Sequence, residues 1–137
     1  MFYTRDISVE ANTPRNSAKT VNIKTTAGVV HQVGIMFPDG CAGLVHVQLW
    51  HGGHPFIPVD PMMDVAGNNE TVNITEFYKL FPGFNIITVR VWNEDDTHSH
   101  TIRVRIGVLP EYILVPYKPL TTISNRMAKL LRRIGVF

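Results

Sequence analysis

Histidine is the residue type in this chain with the most obvious capacity for chemistry, and four of its six histidines fall in two short motifs. His51 and His54 are separated by two glycines, and His98 and His100 by one serine. Residues two apart on a strand face the same side, so His98 and His100 have the spacing of two metal ligands. A cupin-type site would add a glutamate shortly afterwards, whereas residues 101–105 contain two arginines. Histidines in polar turns are therefore favoured, no cofactor is expected, and a cupin-like metal-binding protein is the least favoured alternative.

Carboxylates cluster at residues 94–96. Glu94, Asp95 and Asp96 supply the hard oxygen ligands that calcium prefers. The segment lacks the glycine and the distant glutamate of an EF-hand loop. A solvated turn, or carboxylates that face nearby arginines, is therefore favoured over a calcium site.

Cys41 is the single cysteine, so the chain has no intramolecular disulfide. It lies in a predicted turn at residues 39–43 that would expose its thiol, but the sequence assigns no oriented base to it. A Gly-x-Ser-x-Gly elbow and a glycine-rich phosphate loop are also missing. These observations predict that the protein is not an enzyme.

The elements that position these residues are predicted to be strands. Apolar residues recur with a period of two up to about residue 109, which places alternate side chains on opposite faces. Seven strands are expected, at residues 3–9, 18–26, 29–37, 43–50, 70–78, 85–92 and 101–109. Short connections leave no room for crossover helices and exclude a parallel α/β sheet. The predicted fold is all-β, an antiparallel β-sandwich or jelly roll.

The clearest predicted strand pair is a hairpin of residues 85–92 and 101–109. Arg90, Arg103 and Arg105 would lie together on its outer face. Three neighbouring cations repel one another unless acidic groups face them, so an acidic partner is expected nearby.

Outward-facing aromatic residues support a second class of function. In the strand at residues 43–50 the side chains of Val45, Val47 and Leu49 are expected to face inward, and those of His46, Gln48 and Trp50 outward. Trp92 is likewise expected to face outward, and Tyr3 and Tyr78 are also available. Because jelly rolls hold sugars through aromatic side chains, an exposed tryptophan pair would favour a carbohydrate-binding module.

The length of 137 residues fits one domain, and the 45% of hydrophobic residues can fill a sizeable core. A β-sandwich domain is expected at residues 1–110, followed at 111–137 by an extended arm and a short basic amphipathic helix. No secretory signal is seen, and no apolar run reaches the roughly 18 residues that span a membrane. The protein is therefore expected to be made in a cytoplasm and to have no membrane contact.

The C-terminal segment is a separate electrostatic unit. Residues 118–137 hold five of the 13 basic residues and none of the 11 acidic ones. The predicted helix is too short to be stable alone, so its apolar stripe is expected to dock on another macromolecule. The alternative is that its cationic face packs on the acidic body of its own or a neighbouring subunit. Nucleic acid contact is expected only here, and only as non-specific contact with phosphates.

The loop at residues 51–69 is unusually long, and Pro55, Pro58 and Pro61 are expected to prevent regular strand pairing. Two interpretations of its apolar residues remain: a cover for one end of the sandwich, or a stiffened contact surface, which is favoured. With the arm and the helix, this gives the following set of residues expected to contact a partner: Phe56, Ile57, Met62, Met63, Tyr112, Tyr117, Arg126, Met127, Lys129, Leu130, Leu131, Arg132 and Arg133.

Three segments, at residues 2–6 (FYTRD), 37–44 (FPDGCAGL) and 92–98 (WNEDDTH), carry a family resemblance. They resemble small β-sandwich virion proteins of tailed phages, of the capsid decoration or cement type or the head-tail accessory type. The resemblance implies a structural subunit of the virion, assembled in the host cytoplasm and bound to the major capsid protein or other virion proteins. A homo-oligomer such as a trimer is expected, because an arm gains stability by lying across a neighbouring subunit.

Overall fold

Strands account for most of residues 1–113, which are the residues that the structure, a computed structural model, describes. Their bounds are β1 Phe2–Val9, β2 Lys19–Lys24, β3 Gly28–Phe37, β4 Val45–His51, β5 His54–Ile57, β6 Val65–Ala66, β7 Glu70–Leu80, β8 Ile86–Asn93 and β9 His100–Leu109. Single turns of 3-10 helix lie at Arg15–Ser17 and Glu111–Ile113. The all-β prediction is confirmed, and the seven predicted strands correspond to all of these except β5 and β6.

The strands form two antiparallel sheets. The first has the order β1-β9-β3-β7, and the second has the order β2-β8-β4-β5, with β6 paired to β4. Apolar residues from both sheets meet in one core. On β4, Val45, Val47 and Leu49 are fully buried, as alternation predicts. Burial of each such side chain contributes about 1.5–3 kcal/mol.

The predicted hairpin of residues 85–92 and 101–109 is wrong. β8 lies in the second sheet between β2 and β4, whereas β9 lies in the first sheet between β1 and β3. Both strands bury alternate residues in the same core, so the pattern identifies their inner faces but not their neighbours. Arg90 is consequently separated from Arg103 and Arg105, which both lie on β9. Arg103 binds Asp6 on β1 with two hydrogen bonds of 2.7 and 3.2 Å, and Arg90 lies on the second sheet.

Residues 51–69 are also more regular than predicted. Gly52 and Gly53, with φ values of 60° and 74°, turn the chain from β4 into β5. Pro55 is tolerated because β5 lies at the edge of its sheet, where the missing N–H donor removes no hydrogen bond between strands. Phe56 and Ile57 are only 4% and 3% exposed. The prediction that these two residues contact a partner is therefore wrong, because they fill the core of their own sandwich.

Most of the predicted arm and helix lies outside the described residues. This applies to the C-terminal members of the predicted contact set: Tyr117, Arg126, Met127, Lys129, Leu130, Leu131, Arg132 and Arg133. Tyr112 lies in the second 3-10 turn and is exposed. Within residues 1–113, no helix has the length and apolar character needed to cross a bilayer.

Candidate functional site

The segment of residues 58–64, called the contact loop below, carries apolar side chains on the protein surface. Val59, Met62 and Met63 are 66%, 74% and 56% exposed. Their position on the surface agrees with the sequence analysis, and their contact with a partner stays a prediction.

The backbone of the contact loop is held by hydrogen bonds with Gln48 of the second sheet, with Arg15 of the first 3-10 turn and with Asp60 of the loop itself. Gln48 on β4 is fully buried, and its Nε2 donates to the carbonyl oxygens of Pro61 and Met63 at 3.2 and 2.7 Å. Arg15 also donates to the Pro61 carbonyl. Within the loop, Asp60 Oδ1 accepts a hydrogen bond of 2.9 Å from the Met62 N–H. The exposed methionines therefore project from an ordered backbone rather than from a slack one.

The C-terminal end of the contact loop is tied to β4 by His46. Its Nδ1 donates to Asp64 Oδ1 at 2.6 Å, and its Nε2 lies 3.3 Å from Glu94 Oε2 without the alignment of a hydrogen bond. The imidazole stacks on Trp92, with the ring centroids 5.3 Å apart. His46 is thus bonded to the contact loop and lies next to Glu94 of the turn that follows β8.

A shallow depression of about 290 Å³ lies on the outer face of the second sheet. Its lining residues come from three strands and the β4–β5 turn: Thr20, Trp50, Gly53, Thr88 and Arg90. A second depression of about 290 Å³ shares Gly53 and Thr88 with it. The two together form a continuous open surface.

The predicted exposed tryptophan pair is not formed. Trp50 is partly exposed in the first depression, but Trp92 is only 2% exposed. The guanidinium of Arg15 lies 5.2 Å from the Trp92 ring centroid, and His46 stacks on the same ring. Sequence alternation predicted the direction of both rings, but it carries no signal for the residues that cover one of them.

The histidine motifs do not converge on a metal. His51 donates from Nε2 to the Phe84 carbonyl and accepts at Nδ1 from the Tyr78 hydroxyl, both at 2.8 Å, so both ring nitrogens are already used. His54 and His98 are exposed. Residues 1–113 contain no group of three His, Cys, Asp or Glu side chains placed to hold a metal ion.

Asp95 organises the turn between β8 and β9. Its Oδ1 accepts from the N–H groups of Thr97 and His98 at 2.9 and 3.2 Å, and its Oδ2 accepts from His100 Nε2 at 2.8 Å. The hydrogen bond from His100 and those from the turn lower the pKa of Asp95 to about 2. This carboxylate therefore acts as a structural acceptor.

The thiol of Cys41 is buried, not exposed as predicted. Burial raises its pKa, and the negative charge of Asp95 raises it further. Such an environment disfavours the reactive thiolate.

Comparison with known proteins gives similarity at the level of the fold alone. No family model and no curated protein matches the chain. It is similar to hydroxypropylphosphonic acid epoxidase from S. wedmorenis, with 9% identity and a TM-score of 0.40, over 77% of this chain and 43% of that one. For PirA the identity is 14% and the TM-score is 0.37, over 76% of this chain and 92% of that one. For a family two carbohydrate esterase from Cellvibrio japonicus the identity is 13% and the TM-score is 0.32, over 81% of this chain and 36% of that one. The chain thus spans less than half the length of the epoxidase, and none of the three is a phage virion protein.

The prediction that the protein is not an enzyme is corrected by this comparison. The solved structures to which the chain is similar include an epoxidase and an esterase. The exclusion of enzymes is withdrawn, and no catalytic residue is assigned to this chain.

Proposed function

We propose that the protein is a jelly-roll structural subunit of a virus particle and attaches to a neighbouring virion protein through its contact loop. When the two-residue strand β6 is left out, the remaining eight strands form two four-stranded sheets. Renumbered from one to eight, their orders are 1-8-3-6 and 2-7-4-5, an arrangement of two Greek keys. This supports the jelly-roll assignment, and viral capsid domains are among the proteins built in this way.

The contact loop carries the proposal. Apolar side chains in a slack loop can fold back on the protein surface and escape water. Here Gln48, Arg15 and Asp60 hold the backbone, so Met62 and Met63 remain exposed. A fixed apolar protrusion is typical of a protein–protein contact, and methionine adapts well to a partner surface.

Three finer parts of the proposal rest on sequence. The basic amphipathic helix that the sequence predicts within residues 111–137 would add a second attachment through its apolar stripe. The resemblance to phage decoration and accessory proteins supports a capsid or head-tail partner. An arm that needs a neighbour supports a homo-oligomer such as a trimer.

The proposal is tested in the viral or prophage genome that encodes the chain. Met62 and Met63 are both replaced by serine, and the chain is quantified by mass spectrometry in purified particles. Burial of one such side chain is worth about 1.5–3 kcal/mol, so incorporation should fall about tenfold or more. Phe77→Ser is the matched control, because Phe77 is an exposed apolar residue on β7 in the other sheet.

Two results would overturn the proposal. One is absence of the chain from particles made by the unmodified genome. The other is full incorporation of the double serine variant. A thermal unfolding curve that matches the parent establishes that the variant is folded.

A further inference from the structure

The outer face of the second sheet carries residues typical of a ligand site. None of these residues belongs to the contact loop. The backbone register places Thr20 opposite Arg90, and Trp50 opposite Thr88, on three adjacent strands. All four line the first depression, which is open to solvent and about 290 Å³ in volume. That volume is just below the usual range for small-molecule sites, about 300–1,000 Å³.

Trp50 provides a fixed apolar platform. Its Nε1 donates to Oε1 of the buried Gln48 at 3.1 Å, which sets the orientation of the ring. The neighbouring wall is the backbone of Gly53, and a Cβ added there would meet no heavy atom within 4 Å. The platform is therefore not screened by a side chain on the β4–β5 turn. A rigid aromatic surface of this kind suits the apolar C–H face of a sugar ring.

Arg90 adds a positive charge that lacks a carboxylate partner among the described residues. Its Nη2 donates to the Arg15 carbonyl at 2.6 Å, and its guanidinium carbon lies 5.8 Å from the ring centroids of both Trp50 and Trp92. The side chain is half-buried, and none of the ion pairs within residues 1–113 involves it. A guanidinium has five N–H donors arranged to bind a carboxylate with two hydrogen bonds. A partly desolvated guanidinium without a carboxylate favours an anionic ligand.

Polar groups beside the platform complete the set. Thr88 Oγ1 donates to Asn22 Oδ1 at 2.8 Å, and the hydroxyl of Thr20 lies on the exposed strand β2. Such groups bind sugar hydroxyls. The second depression, with the exposed side chains of Phe84 and Ile86, continues from the shared residues Gly53 and Thr88. It gives room for a second sugar unit.

From this juxtaposition we infer that the outer face of the second sheet binds an acidic saccharide, with a sugar ring against Trp50 and a carboxylate on Arg90. The ligand class is a sialic or uronic acid residue at the end of, or within, an oligosaccharide. The inference is independent of the attachment role of the contact loop.

The test begins with a glycan array that carries acidic and neutral oligosaccharides, probed with the purified full chain. Binding to sialylated or uronic acid glycans is expected. The strongest acidic ligand is then compared by calorimetry with its carboxyl methyl ester, which keeps the ring but removes the charge. Esterification, Arg90→Gln and Trp50→Ala are each expected to weaken binding about tenfold or more. Arg105→Gln, a change on the outer face of the other sheet, leaves binding unchanged.

A second pair of variants tests the role of Arg90 without replacing it, in case the Arg90→Gln variant misfolds. Thr20→Glu places a carboxylate opposite Arg90 at an exposed strand position, where it occupies the guanidinium and abolishes binding. Thr20→Gln has the same size without the charge and retains binding. The inference is overturned if no glycan exceeds background, if neutral and acidic forms bind equally, or if both Thr20 variants behave alike.

Discussion

At the scale of single residues, the outward face of β4 shows that the sequence predicts the direction of a side chain but not its burial. Alternation predicted that His46, Gln48 and Trp50 face away from the core, and they do. It did not predict that Gln48 is itself buried under the contact loop, because the carbonyl groups it binds lie 13 and 15 residues further along the chain. A polar residue in an alternating strand is predicted to face away from the core. Whether a loop then covers that side chain cannot be predicted, because the path of a loop has no periodic sequence pattern.

Gln48→Leu tests the role of this amide. The change keeps the approximate size of the side chain but removes two hydrogen bonds to the contact loop and the acceptor for Trp50. We expect a loss of about 1–3 kcal/mol in the free energy of unfolding, because buried partners are left unsatisfied. Faster amide hydrogen exchange in residues 60–64 should accompany it.

Urea unfolding measures the first effect and exchange mass spectrometry the second. Gln32→Leu is the control, because Gln32 is exposed on the outer face of β3. Equal effects of the two substitutions would contradict the structural role assigned to Gln48.

Asp95 gives a prediction for pH. Its folded-state pKa is about 2, below the ordinary value of 3.8, because His100 and the turn N–H groups stabilise the charged form. The stability that this group contributes is therefore present above pH 3.8 and is lost as pH falls toward 2. In urea unfolding, the midpoint of the parent protein should drop through this window.

Asp95→Asn is the comparison that assigns this pH dependence, since the pKa of Asp6 is also lowered, by its hydrogen bond with Arg103. The variant is expected to be less stable at neutral pH and to show a shallower decline below pH 3.8. A decline as steep as that of the parent would show that other carboxylates cause it.

At the scale of elements, the sequence predicted the positions of the strands better than it predicted which strands pair with each other. β-branched residues with a period of two mark seven strands, but the same period arises whether two strands share a sheet or face each other across a core. β8 and β9 were paired wrongly for this reason. β5 was missed because Pro55 is a sound argument against a central strand and a weak one against an edge strand.

The burial of β5 separates the two interpretations of the long loop. Phe56 packs face to face on Tyr78, with the ring centroids 4.4 Å apart, and it belongs to the core cluster. Phe56→Ala should therefore cost about 3–5 kcal/mol in the free energy of unfolding. Met62→Ala in the contact loop should change it by less than about 0.5 kcal/mol.

Both values come from urea unfolding of the purified chain. A loss for Met62→Ala comparable to that for Phe56→Ala would mean that Met62 is packed within its own subunit. The proposed attachment would then lose its contact surface.

At the scale of the whole molecule, composition and pattern were sufficient for the fold class and insufficient for the function. Hydrophobic content and alternation predicted an all-β domain, which is what residues 1–113 form. The sites depend on contacts between distant segments, such as Arg15 with Pro61 and Arg90 with Arg15. No motif records these contacts, so the two surfaces proposed here emerge only from the folded arrangement.

The position of β9 has a consequence for the order of folding during synthesis. β9 is the last strand along residues 1–113, yet it lies between β1 and β3 and holds β1 in the first sheet. Phe2–Val9 therefore leaves the ribosome before His100–Leu109 and has no partner in the first sheet until that strand is made. Such long-range closure slows folding and leaves an unpaired edge exposed in the nascent chain. Translation that stops before residue 100 would thus release a product with an unclosed first sheet and a strong tendency to aggregate.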